Sequence, residues 1–423
     1  MYKHLGILGR RFAWAGGIED TFIPQERSGL RALDEYELTQ HYTQWRGDLE
    51  RASQAGIRIL RWGVPWYKVE PCKGQFDWSF TDEVLNYMVN DLGITPIIDL
   101  VHYGTPLWLE GSFVDAEYSD CVADYAKAFA SRYGNLVRYY TPLNEPTVNA
   151  EFSGLKGEWP PYLRDSEGYV EVLLPISLGI QKTVRAIKSV DDDAIFVAVE
   201  AMHLGIAVSQ GAENAAREVF YQDLLCYDLV RGMVTAKHPM HAWLIQKGVS
   251  PAVLAELVAG AVHQHVLGVN FYPWSGTRLD VDKDGRLVNV GNNVVGAQLL
   301  DVLRLVHDYV DTPLMVTETS NAGEMAGRKR WMRETIAAVA QARREKIPVL
   351  GFTWFPIFTM IGWEYRTATT AIDKHLLHLG LWDCEFDEDA VLVRRHTPMV
   401  DLYSRFIRRG SPRARGKNCK PLC

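Results

Sequence analysis

YAKAFASRYGNLVRYYTPLNEP, residues 125–146, holds one whole step of an α/β repeat. Its first part completes Ser119–Arg132, where apolar side chains return at spacings of three and four, the period of a helix with one face on a core. Val137–Leu143 then forms a short run of strand length and ends in Leu143-Asn144-Glu145-Pro146. A carboxylate thus follows directly on a buried apolar segment, an expensive placement unless it is paired, hydrogen-bonded or protonated.

The same alternation extends in both directions. Strands are expected at Phe12–Ile18, Ile57–Trp62, Thr95–Val101, Val137–Leu143, Ile195–Ala201, Leu267–Phe271, Leu314–Thr317 and Val349–Trp354. Helical patterning fills the intervals at Thr39–Ala55, Ser79–Asp91, Ser119–Arg132, Leu173–Ser189, Ala212–Arg231, Asn293–Asp308 and Trp331–Glu345. Eight such units define an α/β fold, a single (β/α)8 TIM barrel with decorated βα loops, over residues 1–410. No stretch reads as an interdomain linker, and 423 residues suit one barrel with insertions. Val281–Asn293 carries an Asp-Gly turn between alternating apolar residues and reads as a hairpin after the sixth strand. Residues 411–423 are expected to be a solvated basic tail.

Composition narrows the classes of function. With 45 basic against 52 acidic side chains the chain is no general ligand for nucleic acid or an anionic membrane. The start lacks a basic segment followed by an apolar stretch, so cytoplasmic residence is expected, and no apolar run is long enough to span a membrane. Six scattered cysteines read as reduced structural thiols, and His102 is the one histidine placed at a strand end, too few ligands for metal-dependent hydrolysis. Neither a metal nor a cofactor is expected, and oligomeric state is not legible.

In such a barrel the reacting groups come from the C-terminal ends of strands. Strand four ends at Glu145, and strand seven in Val316-Thr317-Glu318-Thr319-Ser320. Either glutamate alone could be a structural partner for Arg61 at the end of strand two. As a pair nearly across the mouth from each other, they match the need of glycosidic bond cleavage for one proton donor and one carboxylate; a separation of about 5.5 Å selects direct attack with retention.

Asn-Glu-Pro after strand four and Thr-Glu after strand seven resemble the two catalytic signatures of glycoside hydrolase family 1. Arg61-Trp62, His102-Tyr103, Gly268-Val269-Asn270-Phe271-Tyr272 and Trp354-Phe355 continue the resemblance in order, from about Phe12 to Asp383. It implies a retaining β-glycosidase, β-glucosidase-like, acting on a small-molecule or oligosaccharide β-glycoside through a covalent glycosyl-enzyme. Glu145 would be the acid/base and Glu318 the nucleophile. Asn144 would bind the sugar 2-hydroxyl, Arg61 and Tyr272 would keep Glu318 ionised while Glu145 stays protonated, His102 would bind sugar hydroxyls, and Trp354 would form a platform under the ring. Outside this context His102 and Trp354 read equally as core residues and Asn270 as a turn cap. One or two of Trp66, Trp108, Trp159, Trp363 and Trp382 are expected at the substrate.

The sequence also departs from the family. Gly17-Ile18-Glu19-Asp20 stands where the family has Gln-Ile-Glu-Gly, so Glu19 either takes over part of the missing grip or orders the barrel mouth. Gly362-Trp363-Glu364-Tyr365 reverses the family's Glu-Trp, Thr-Glu-Thr-Ser replaces Thr-Glu-Asn-Gly, and Tyr103 replaces Trp. A changed sugar preference is expected. Transglycosylation at the same site and a barrel that binds sugar without cleaving it stand as alternatives.

Overall fold

The computed structural model describes residues 2–412; the expected basic tail lies, from residue 413 on, outside the described residues. Eight parallel strands close into a barrel: β1 (Ala13–Gly17), β2 (Ile59–Gly63), β3 (Thr95–Asp99), β4 (Tyr139–Thr141), β5 (Ile195–Ala201), β6 (Val266–Asn270), β7 (Leu314–Glu318) and β8 (Val349–Trp354). Each strand pairs with its neighbours in chain order, and β8 closes on β1 with Gly16 opposite Trp354. The expected (β/α)8 barrel is the fold observed.

Outside the strands lie α1 (His41–Gln54), α2 (Ser79–Asn86), α3 (Tyr118–Tyr133), α4 (Asp165–Lys188), α5 (Leu225–Val230), α6 (Leu299–Tyr309), α7 (Met325–Arg344) and α8 (Pro398–Arg409). Their inward faces and the outward faces of the strands form one continuous apolar core. α8 closes the ring beside β1 and β8: Tyr403 Oη donates to Ala15 O at 2.5 Å and to Phe352 O at 3.1 Å.

Several expected elements differ in extent, among them α7, which begins at Met325, six residues before the expected Trp331. α4 begins at Asp165, eight residues before the expected start, and runs through Pro175, which removes one backbone donor without ending the helix. Packing of α4 along α3 outweighs that local cost. The expected helix Ala212–Arg231 is two helices, Glu213–Asp223 and α5, parted at Leu224, where Asp223 turns its carboxylate to the backbone and ring of His203. Residues 293–295 are not helical, and α6 follows a short turn at Gly296–Gln298. The expected hairpin is present: Gly276–Val281 pairs antiparallel with Leu287–Gly291, and a strand after β5, Leu204–Ala207, joins it to make three strands over one side of the mouth.

Candidate active site

β4 is short because Pro142 has no N–H to continue the ladder. The chain rejoins the sheet where Asn144 bridges Val199, and Glu145 N donates to Val199 O at 2.9 Å. Pro146 opens the next helix, which disfavours right-handed geometry at Glu145, and Glu145 takes a left-handed conformation, φ 44° and ψ 62°. A non-glycine residue there costs about 1–2 kcal/mol, held by the bond to β5 and by Asn149 N on Glu145 O at 3.0 Å. The strain aims the carboxylate into the barrel mouth.

Both oxygens of Glu145 are engaged: Asn270 Nδ2 donates to Oε1 at 2.8 Å, and the Tyr103 hydroxyl donates to Oε2. The Thr317 hydroxyl donates to Asn270 Oδ1 at 2.7 Å and thereby fixes which end of that amide faces Glu145. β6 can approach β7 this closely because residue 268 is glycine; a Cβ there would lie 2.5 Å from Thr317 Oγ1. This accounts for Gly268 and Asn270 in one short segment.

Glu318, at the end of β7, accepts from Arg61 on Oε1 and from the Tyr272 hydroxyl on Oε2 at 2.7 Å. Arg61 is fully buried and also pairs with Asp99 and donates to Asn144 Oδ1 at 2.8 Å. Burial pushes the Glu318 carboxyl up to about 7; Arg61 opposes the rise and Glu145 adds to it. Arg61 and Tyr272 thus make the expected bonds to Glu318, and they work against the burial of its charge.

The two carboxylates face one cavity of about 550 Å³ whose wall also includes Glu19, His102, Tyr103, Asn270, Tyr272 and Trp363. Asn144 and Arg61 stand behind this wall, both fully buried. The amide of Asn144 is already spent, Oδ1 on Arg61 and Nδ2 facing the Tyr103 hydroxyl and His102 Nε2, each at 3.0 Å. The structure does not bring Trp354 to the cavity: it is fully buried in the core, with its indole N–H on Leu379 O at 3.1 Å. Trp363 lines the cavity instead, packed edge-on to Tyr103 and Trp159 at 5.4 and 5.0 Å. Glu364 also reaches the cavity, paired with His375 at 3.1 Å.

Several residues were not singled out from sequence. Tyr103 was noted only as a departure, yet its hydroxyl holds Glu145. Asp99 ends β3 and could have been found by the strand-end rule that found the glutamates. Asp20 faces His102 Nδ1 at 2.7 Å; burial opposes the charge of that imidazole, but Asp20 and Asp99 raise its pKa well above the ordinary value. Burial pushes Asp20 itself up to about 7 against the pull of His102. Asp20, Asp99 and His102 have metal-ligand proximity, but Arg61 holds Asp99 and His102 faces Asp20, so the donors have cationic partners within the chain. Glu35 gives no sequence signal, since only the fold carries its short helix Glu35–Leu38 back against the mouth. His203, paired with Asp223 at 2.9 Å, lies between this cavity and a second of about 470 Å³.

The fold and the paired buried glutamates place the chain in the class of (β/α)8 barrels with a carboxylate pair at the mouth. Within that class it belongs to glycosyl hydrolase family 1, whose model matches residues 16–272, more than half of the chain and including Glu145. β-Glucosidase A of Thermotoga maritima is 28% identical over 131 residues, 30% of this chain and 29% of that relative. A bifunctional β-D-glucosidase/β-D-fucosidase of Bifidobacterium breve is 24% identical over 318 residues, 66% of this chain and 68% of the relative. The chain thus spans under a third of the length of the first of these relatives. A structure of the Thermotoga maritima β-glucosidase in complex with azafagomine superposes with a TM-score of 0.80 at 17% identity, covering 94% of this chain and 98% of that one. This likeness extends the shared fold over β7 and β8, beyond the segment the family model matches.

Proposed function

We propose that the chain is a retaining β-glycoside hydrolase. The observation that carries this reading is the pairing at one cavity of Glu318, held on both oxygens by Arg61 and Tyr272, with Glu145, held on both oxygens by Asn270 and Tyr103. Glu318 attacks the anomeric carbon while Glu145 gives its proton to the departing glycosidic oxygen. The bond formed is an ester between Glu318 and the sugar; the bond broken is that between the anomeric carbon and the leaving oxygen. Water, deprotonated by Glu145, then cleaves the ester and restores both residues. Arg61 and Tyr272 hold the nucleophile in place and release one charge-assisted bond as its charge is spent.

β-Glucosidases among the relatives support a β-linked sugar as substrate. Glu318→Ala is expected to lower turnover of aryl β-glycosides at least about a thousandfold. Glu145→Ala is expected to retain turnover of donors whose leaving group needs no proton, and azide, entering where the carboxylate stood, should restore rate and yield a β-glycosyl azide. Turnover in the Glu318 variant equal to that of the unaltered protein, or an α-glycosyl azide, contradicts the reading.

A further inference from the structure

Glu19 follows β1, is 6% exposed and lines the cavity. Among the described residues its hydrogen bond is the one from the Thr21 hydroxyl to Oε1 at 2.7 Å, and Oε2 accepts none. Behind it Glu35, fully buried, accepts from Ile361 N on Oε2 at 3.1 Å and has no partner on Oε1. Acidic side chains outnumber cationic ones around this end of the cavity. Glu19 feels the charge of Glu318, Glu35 that of Glu19, and Asp20 that of Asp99, while the cations acting on these acids, among the described residues, are Arg61 and His102. Burial raises the pKa of both Glu19 and Glu35, the cost of keeping unneutralised carboxylates out of water.

A neutral amide cannot be fitted at the neighbouring position. A Cβ on Gly17 would lie 2.2 Å from Phe355 Cδ2, so the glutamine that the family places there has no room in this chain. Phe355 is itself fixed, stacked on His102 at 6.3 Å and lying 5.0 Å from the Arg61 guanidinium. At position 17 the wall therefore has no amide to offer a donor and an acceptor to hydroxyls, and the Glu19 carboxylate two residues on, which only accepts when ionised, is left without that neighbour.

We propose that this cavity selects a glycon bearing a positively charged amino group, which donates to Glu19 Oε2 and is backed by the carboxyl of Glu35. The inference rests on the glycosidase reading for the placement of the sugar and adds the chemical class of that sugar. Glu19 follows β1, and the anomeric carbon, which must lie between Glu145 and Glu318, carries the leaving oxygen, so the amine belongs on another ring carbon. An ammonium favours the ionised form of Glu19 and supplies a donor at once; a hydroxyl supplies only the donor.

The test compares aryl β-glycosides carrying an amine at carbon 2, 3, 4 or 6 with their hydroxyl and N-acetyl counterparts at pH 7, read as kcat/KM. At least one amino donor is expected to exceed its hydroxyl counterpart by about tenfold or more, and N-acetylation to remove the advantage. Glu19→Gln should cut the amino-to-hydroxyl ratio about tenfold or more, and Glu35→Gln, which keeps an acceptor for Ile361 N, should cut it less. Calorimetric binding of the free amino sugars and their neutral parents to the same intact proteins gives a readout independent of turnover. Hydrolysis of neutral donors with no amino preference, or a preference unmoved by both variants, overturns this inference and leaves the glycosidase reading standing. Glu19-dependent binding of an amino sugar with no turnover of any donor supports the inference and overturns the glycosidase reading. Absence of both binding and turnover overturns both.

Discussion

At the scale of single residues, Glu318 sets the pH at which the site works. Its carboxyl is raised to about 7, and the nucleophile must be ionised, so kcat/KM should fall as pH drops through about 7. An acidic limb near the ordinary glutamate value would show that Arg61 outweighs burial after all. Arg61 is the counterweight, since it pairs with both Glu318 and Asp99 while fully buried. Arg61→Met leaves two buried carboxylates uncompensated, a change that costs about 3–5 kcal/mol. The acidic limb in that variant should move to higher pH, and kcat/KM at pH 7 should drop by at least about a hundredfold. Tyr103 is the residue whose role exceeded its sequence signal. A tryptophan there could not reach Glu145 with a hydroxyl, so the substitution reads as a changed specificity until the structure shows the bond. Glu145 and Glu318 were legible because each follows an apolar run of strand length, and Arg61, Asn270 and Tyr272 because they stand in motifs that resemble those of the family. Trp354 was misplaced because its position at the end of β8 does not reveal which way the indole turns.

Among the elements, β1 and the segment after β8 are fitted to each other through Gly17 and Phe355. Gly17→Ala would push a methyl group into the Phe355 ring, an overpacking that typically costs about 1–3 kcal/mol. Phe355→Ala should destabilise on its own by opening a cavity. Combined, the two should cost less than their sum, because the space vacated by the ring takes the added carbon. Additive melting shifts across this cycle would show that the contact does not limit residue 17. The same pair explains why the missing glutamine was legible but its cause was not: Phe355 lies 338 positions away in the chain. Element boundaries followed the same logic. α4 outran its expected start since packing on α3 tolerates Pro175, and the helix before α5 broke where Asp223 serves His203. Local patterning carries neither kind of tertiary demand.

Across the whole molecule, the buried acids place stability and activity in opposition. Burial raises Glu19, Asp20, Glu35, Glu200 and Glu318, with Asp20 and Glu318 reaching about 7. For an acid raised in the folded state, the favourable contribution is complete below its unfolded value and is lost as pH rises through the folded one. His203 acts in the same direction: burial opposes its charge, but Asp223 raises its pKa to about 9, so its contribution also fades as pH rises. Asp48 and Asp99, which are lowered, lose theirs only in the acid range. Tm should therefore fall between pH 6 and pH 8 while kcat/KM rises, and Glu318→Gln should flatten the fall. A Tm constant or rising across that interval would contradict this assignment of charge.

The barrel itself was legible because eight apolar runs and their helices repeat along the whole chain. The shape and charge of the cavity were not, since they arise from loops that the repeat does not encode. The most direct test of the glycosidase reading is incubation of the purified protein with 2-deoxy-2-fluoro β-glycosyl donors bearing good leaving groups, followed by intact mass and peptide mapping. The account predicts one sugar added per chain, carried on Glu318. An adduct on any other residue would contradict it, as would rapid hydrolysis of the parent glycosides with no adduct formed.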